Sequence, residues 1–203
     1  FARKNFKELS NEIDRWNIFY EEFIEYIIKL NESIYFEEFH FSLLLKNIVQ
    51  FPNRGFVDFR SPSFFLQDYG VIDFDGKIYP SDEARMLSRT KHVDLSVGAI
   101  GDSLDTNKIN DLNWSSINQI EPDCLHCVYM PFCGIDIIDD MSRYNRVDSP
   151  KLDSWFCRRS MSTFDLIFKK IENRNVEWLD VFLKWIYHSN NPPKTYEIFY
   201  DRP

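Results

Sequence analysis

Cys124, Cys127, Cys133 and Cys157 are the only cysteines in the chain, and their pattern is C-x2-C-x5-C-x23-C. A thiolate serves as a nucleophile or as a soft metal ligand, and this spacing favours the second use. Two thiolates separated by two residues approach one centre from a single turn. A third in the same tight loop closes a face, and a fourth from a distant segment completes the set. Four thiolates suit tetrahedral zinc or a [4Fe-4S] cluster, and spacing alone leaves the two open. Between the second and third cysteines, Val128-Tyr129-Met130-Pro131-Phe132 inserts apolar and aromatic bulk. Such bulk shields a cluster from water and tunes its potential, which inclines the reading towards iron–sulfur. His126 lies inside the motif but competes with four thiolates, so it reads as an outer hydrogen-bonding group or an exposed loop residue. Disulfides are the next alternative, although nothing in the sequence indicates an oxidising compartment. The blandest reading is four unrelated buried thiols, since free cysteine is often buried.

Other groups carry weaker signals. Asp73, Asp75, Asp82 and Glu83 cluster around one turn and offer paired carboxylates for acid–base work, but turn and cap roles account for Asp75 and Asp82 directly. Arg85 reads as a structural ion-pair partner, and His40, beside Glu37 and Glu38 near a helix start, as a packed or solvated histidine. Ser81 lacks the flanking glycines of a nucleophile elbow. The six glycines are scattered and form no phosphate-binding loop.

The elements that must position these groups follow from periodicity. From Asn11 to Leu30, apolar residues at Ile13, Trp16, Tyr20, Phe23, Ile24, Ile27 and Leu30 lay one stripe on a helix, with Ser10 or Asn11 as its cap. Ile34-Tyr35-Phe36 reads as a short strand or connector before a helix over 37–49. Phe56 to Phe59 alternates weakly. Val71 to Phe74 and Lys77 to Pro80, joined by Asp75-Gly76, predict a hairpin with a type I′ turn. Ser81 to Leu87 resembles a capped helical turn, and Asn107 to Gln119 a short helix. The stretch from Glu121 to Cys157 reads as irregular. Helices are expected over 160–171 and 176–187, then an extended tail. The fold class is α+β, divided as 1–52 (helical), 53–158 (hairpin and cysteines) and 159–203 (C-terminal helices and tail).

The 203 residues suffice for a real core, and the 17% aromatic content supplies large side chains to fill it. A net charge of −8 argues against nucleic acid or an anionic membrane as partner, and Arg158-Arg159 and Lys169-Lys170 are short basic pairs. No apolar run approaches the roughly 20 residues of a membrane span, so a cytoplasmic location is expected. The first residue is Phe1, which suggests a processed or trimmed chain.

Three stretches carry a likeness to a known family: Gly55-Phe56-Val57-Asp58-Phe59-Arg60-Ser61-Pro62, the run from Asp73 to Leu87, and Cys124 through Gly134. With them the chain resembles, from about Phe1 to Cys157, the C-terminal half of radical SAM peptide maturases with a SPASM domain, the extension that holds auxiliary iron–sulfur clusters. The run from Asp73 to Leu87 is most similar to maturases of the His-Xaa-Ser peptide system. The resemblance implies that Cys124, Cys127, Cys133 and Cys157 ligate the outer, second auxiliary cluster. Two departures imply that the first auxiliary cluster is absent: Ile137 stands where that pattern has another cysteine, and Ser81 follows Tyr79-Pro80. The radical-generating motif C-x3-C-x2-C occurs nowhere in the chain. S-adenosylmethionine and a second cluster are therefore expected only upstream, and this chain alone is not expected to catalyse.

The sequence thus leads to one [4Fe-4S] cluster serving electron transfer or the structure of a substrate site. Its expected partners are a precursor peptide and a partner maturation protein or electron donor. The rival is a zinc-stapled module that binds a peptide or protein without catalysis. A metal-free interaction protein is the third reading.

Overall fold

The computed structural model describes residues 6–50 and 64–200, and within the first helix it describes side chains from Asn11 onward. The fold is α+β, with eight α-helices and one three-stranded antiparallel sheet among the described residues. The chain divides into two compact units, whose described residues are 64–157 in one and 6–50 with 158–200 in the other. The N-terminal and C-terminal helices, assigned to separate segments from sequence, therefore fall in the same unit.

In the helical unit, α1 (Phe6–Leu30) buries Ile13, Tyr20, Ile24 and Ile27 of the predicted stripe, and Ile28 beside it. Ser10 and Asn11 are not its caps: the helix begins at Phe6, because Lys7, Glu8 and Leu9 are good helix formers that extend it upstream. Its end is fixed by the buried Asn31, whose amide donates to Ile27 O (2.8 Å) and Phe36 O (2.8 Å) and accepts from Phe36 N (3.2 Å). That capture makes 34–36 a connector, since both backbone groups of Phe36 are occupied before a strand partner could use them.

Helix α2 (Phe39–Val49) starts at Glu38, whose carboxylate accepts from Phe41 N and from the Tyr20 hydroxyl. Burial pushes the neighbouring His40 down to about 4, with Arg159 adding to the effect, so it is a neutral packed histidine at pH 7. Glu37 accepts from Lys46 (2.7 Å), Ser42 (2.6 Å) and Tyr35 (2.8 Å). Burial opposes its charge, but these donors outweigh it and hold the carboxyl down at about 2. Helix α7 (Trp155–Glu172) contributes 158–172 to this unit, and α8 (Val176–Ile186) completes it. Phe41 meets Trp178, Phe182 and Trp185 at centroid separations of 5.7–6.2 Å, the aromatic core expected from composition. The tail is not wholly extended: Tyr196–Phe199 forms a 3₁₀ turn, held where Tyr196 and Lys194 bind Asp180.

In the cysteine-bearing unit, β1 (Val71–Ile72) pairs antiparallel with β2 (Lys77–Tyr79), with Ile72 opposite Ile78. The hairpin is as predicted but its turn is not type I′. Gly76 has positive φ (80°) while Asp75 does not, and Gly76 N donates to Asp73 O (2.9 Å). This is a type I turn followed by a left-handed glycine, which suits a loop one residue longer. A third strand, β3 (Gly98–Ala99), pairs with β2 and was not foreseen, because two small residues carry no alternation.

Helix α3 (Asp82–Arg89) begins where expected, with buried Ser81 as cap accepting from Ala84 N (3.1 Å). Helix α4 (Thr106–Ser115) and α6 (Ile137–Tyr144) close the core, in which Ala84, Leu95, Val97, Leu112, Ile137 and Ile138 are buried. The region 121–157 is thus more ordered than its composition suggests. It holds α5 (Pro122–Leu125), α6, a 3₁₀ turn at Lys151–Asp153 and the start of α7. Pro122 fits the first turn of α5, where its missing N–H costs nothing. Asp136 caps α6, and Asn145 ends it in a left-handed conformation. The weakly alternating 56–59 segment and the resemblance stretch 55–62 lie outside the described residues.

Candidate metal centre

The four cysteines come from three pieces of local structure. Cys124 lies in α5, and Cys127 follows in the next turn, its N–H bonded to Cys124 O (3.0 Å). Cys133 ends a second tight loop, where Phe132 N and Cys133 N both donate to Tyr129 O (2.9 and 3.0 Å). Cys157 sits in the first turn of α7, its N–H bonded to Ser154 Oγ (3.2 Å). That bond moves the start of α7 ahead of the expected Ser160.

None of the four is in a disulfide. All four lie within one electrostatic neighbourhood: each of the six pairings among them opposes thiol ionisation in at least one partner. Burial is the larger effect at every shifted thiol. It and the neighbouring sulfurs push Cys124 up to about 11, and Cys133 and Cys157 up to about 12. Cys133 correspondingly donates its S–H to Gly134 O (3.4 Å). The thiols stand as neighbours and not as an assembled shell: among the described residues, no group of three or more His, Cys, Asp or Glu side chains is arranged to hold a metal ion. The donor set nonetheless fits a cluster or a soft ion. Thiols that repel one another once ionised carry their full charge only around a cation, and ligation requires that they lose their protons.

Polar residues that sequence reasoning passed over fix this arrangement. Asp123, next to Cys124, accepts from Lys151 N (2.7 Å) and Leu152 N (3.4 Å), tying α5 to the segment that leads into Cys157. Buried Asn118 donates to Met130 O (3.1 Å) and Cys133 O (2.8 Å). Lys151 Nζ bonds Asp140 Oδ2 (2.6 Å) and Val147 O (2.7 Å), forming a buried ion pair. Lys151 eases ionisation of Cys124, whereas Asp140 opposes that of Cys157. Tyr144 accepts from Trp155 N (2.9 Å) with its hydroxyl. The one available sequence signal was an aspartate adjoining the first cysteine.

The remaining candidates are committed to structure. Burial opposes the charge of Asp73, but Arg89 (2.7 Å), Phe74 N–H and Arg85 outweigh it and hold the carboxyl below its ordinary range. Asp75 accepts from Lys77 N (3.2 Å), Asp82 pairs with Arg85 (2.7 Å), and Ser81 is a helix cap. Arg85 is therefore the structural partner expected. Ile137, where the resembled pattern has a cysteine, is buried in the core at 1% exposure. His126 is exposed at the end of α5.

Asp136 gives a pH-dependent expectation. Burial pushes its carboxyl up to about 6, although it accepts from Ile138 N (3.1 Å) and Asp139 N (2.8 Å). A raised acid binds more protons in the folded state than in the unfolded, so its ionisation destabilises as pH rises from about 4 through 6. Asp136→Asn keeps the cap acceptor and removes the charge. Urea denaturation should show the variant more stable than the parent at pH 8, on the order of 2 kcal/mol, with the gain shrinking as pH falls from 6 towards 4.

No protein-family model, curated protein or solved structure matches the chain.

Proposed function

We propose that this chain is the auxiliary-cluster region of a radical SAM enzyme that modifies a ribosomally made peptide, with Cys124, Cys127, Cys133 and Cys157 holding one [4Fe-4S] cluster. The observation that carries this reading is the convergence of four thiols from three local structures into one electrostatic neighbourhood. The sequence resemblance over Asp73 to Leu87 and Cys124 to Gly134 supplies the family. A bound cluster of this kind supplies one-electron transfer. Its ligands are all cysteines, which leaves no open position for substrate on the metal. The chain's own residues do the rest: Asp123 and Asn118 hold the ligand segments. By this reading S-adenosylmethionine and its cleaving cluster belong upstream, the precursor peptide is the substrate, and an electron donor is a partner. A cytoplasmic setting keeps the thiols reduced. Among the described residues no helix is long and apolar enough to cross a membrane.

The test is metal analysis of the full chain prepared without oxygen. Equimolar iron and acid-labile sulfide with broad visible absorption is the expected result, unchanged in His126→Ala because His126 is not a ligand. A colourless protein that retains one zinc through anaerobic reconstitution with iron and sulfide would overturn the cluster in favour of a zinc-stapled binding module.

A further inference from the structure

We infer that Asn118 is the residue that positions Cys133 for ligation. The inference rests on the reading of the four thiols as a metal centre and adds to it a group the metal never touches. Asn118 follows α4 and is 1% exposed. Its amide nitrogen donates to Met130 O and Cys133 O, the two carbonyls that bracket Pro131-Phe132. Its own Oδ1 is buried without a hydrogen-bond partner. Burying a lone amide oxygen is unfavourable, and such a group in a folded protein calls for an explanation. The explanation is that the orientation of Asn118 is set by what its nitrogen must reach.

The clamp joins the two ends of the loop from outside it. Its backbone hydrogen bonds, Met130 N to Cys127 O (3.1 Å) and Phe132 N and Cys133 N to Tyr129 O, are short-range turns that set its internal curl. Asn118 supplies a side chain 15 residues away that holds both ends of the 130–133 segment. Cys133 stands at the end of this loop, its N–H bonded to Tyr129 O. A loop free to swing would move this sulfur away from the other three. Two carbonyl dipoles held by an N–H₂ group are also kept from turning towards the ligands, which ties the clamp to the electronics of the centre as well as its shape.

The experiment titrates cobalt(II) alone into the reduced full chain without oxygen. Thiolate-to-cobalt absorption reports binding, and the ligand-field bands report geometry. The parent should bind with a tetrahedral four-thiolate spectrum. Asn118→Leu, nearly the same shape without donors, should bind about 10- to 100-fold more weakly with displaced ligand-field bands. Asn118→Gln, which keeps the amide, should recover part of the loss. Asn113→Leu is the control for general destabilisation. Asn113 is buried in the same unit and bonds Phe65 N (2.7 Å) and Phe65 O (3.3 Å), so its variant should lower stability and leave cobalt affinity unchanged. Should Asn118→Leu fail to fold, Asn118→Ser, retaining a single donor, carries the same comparison. Parent-like affinity and bands in the folded Asn118 variant, or an equal loss in Asn113→Leu, overturn the role of Asn118 and leave the metal centre standing. A parent chain that shows no thiolate–cobalt absorption removes both.

Discussion

Replacement of Cys157 by alanine is expected to abolish metal loading while leaving the helical circular dichroism of the chain intact. Cys157 lies in the first turn of an 18-residue helix, where alanine is the strongest helix former, and the Ser154 bond to residue 157 goes to its backbone. The substitution therefore removes a ligand without removing an element. Structural zinc in zinc-finger peptides contributes about 10–16 kcal/mol. One quarter of such a ligand set is worth orders of magnitude in affinity, and three thiolates leave an exposed metal that oxygen and competing thiols strip. The measurement is iron, sulfide and zinc per chain after anaerobic reconstitution, set against the parent. A proton count supplies an independent check. Cys124, Cys133 and Cys157 are all pushed well above neutral pH, so the metal-free chain holds these thiols protonated. Loading the parent at pH 7 should release those protons, detectable as heat that varies with the ionisation enthalpy of the buffer, and Cys157→Ala should release none. Equal metal content in variant and parent would remove Cys157 from the ligand set.

What the sequence disclosed and what it withheld divide along a physical line. Periodicity found α1, α7 and α8, because each must bury a stripe, the Ser81 cap announced α3, and Asp75-Gly76 announced a hairpin because a left-handed residue was needed there. Spacing singled out the four cysteines, because a C-x2-C pair leaves a short-range mark in the sequence. The turn type went wrong because Asp-Gly serves both a two-residue loop and the longer type I turn that Gly76 ends, and only the strand register decides between them. The order in 121–157 was hidden because its helices are short and start at single caps such as Asp136 and Ser154. Asn118, Asp123, Asp140 and Lys151 were hidden for a different reason. Each acts on a partner at least 11 residues away, and the partners of Asn118 and Asp123 are backbone groups, which have no letter in the sequence. The thiols were legible; the polar groups that bond the backbone around them were not.

The buried pair of Lys151 and Asp140 carries the second large expectation, which concerns stability and not loading. Both side chains are almost wholly shielded, at 5% and 2% exposure. Burial pushes the Asp140 carboxyl up, and the bond from Lys151 is the chief influence opposing that rise. Lys151→Met keeps the length of the side chain and removes its charge. The carboxylate is then left buried without its cation, and breaking a buried pair from one side costs about 3–5 kcal/mol. Lys151 also donates to Val147 O, so the variant orphans a carbonyl as well. The double variant Lys151→Met with Asp140→Leu removes both charges, and its stability should return to within about 1–2 kcal/mol of the parent, because the desolvation cost disappears with the attraction. The pH dependence separates this account from simple loss of packing. In Lys151→Met the carboxyl rises further above its unfolded value, so the folded state binds the extra proton more readily and the deficit narrows as pH falls from 7 towards 5. In the double variant no carboxyl is left to take up the proton, so its deficit does not narrow as pH falls. Urea denaturation of the three chains at both pH values measures this directly; a single-variant deficit that does not respond to pH would place the loss in packing and take the uncompensated charge out of the explanation.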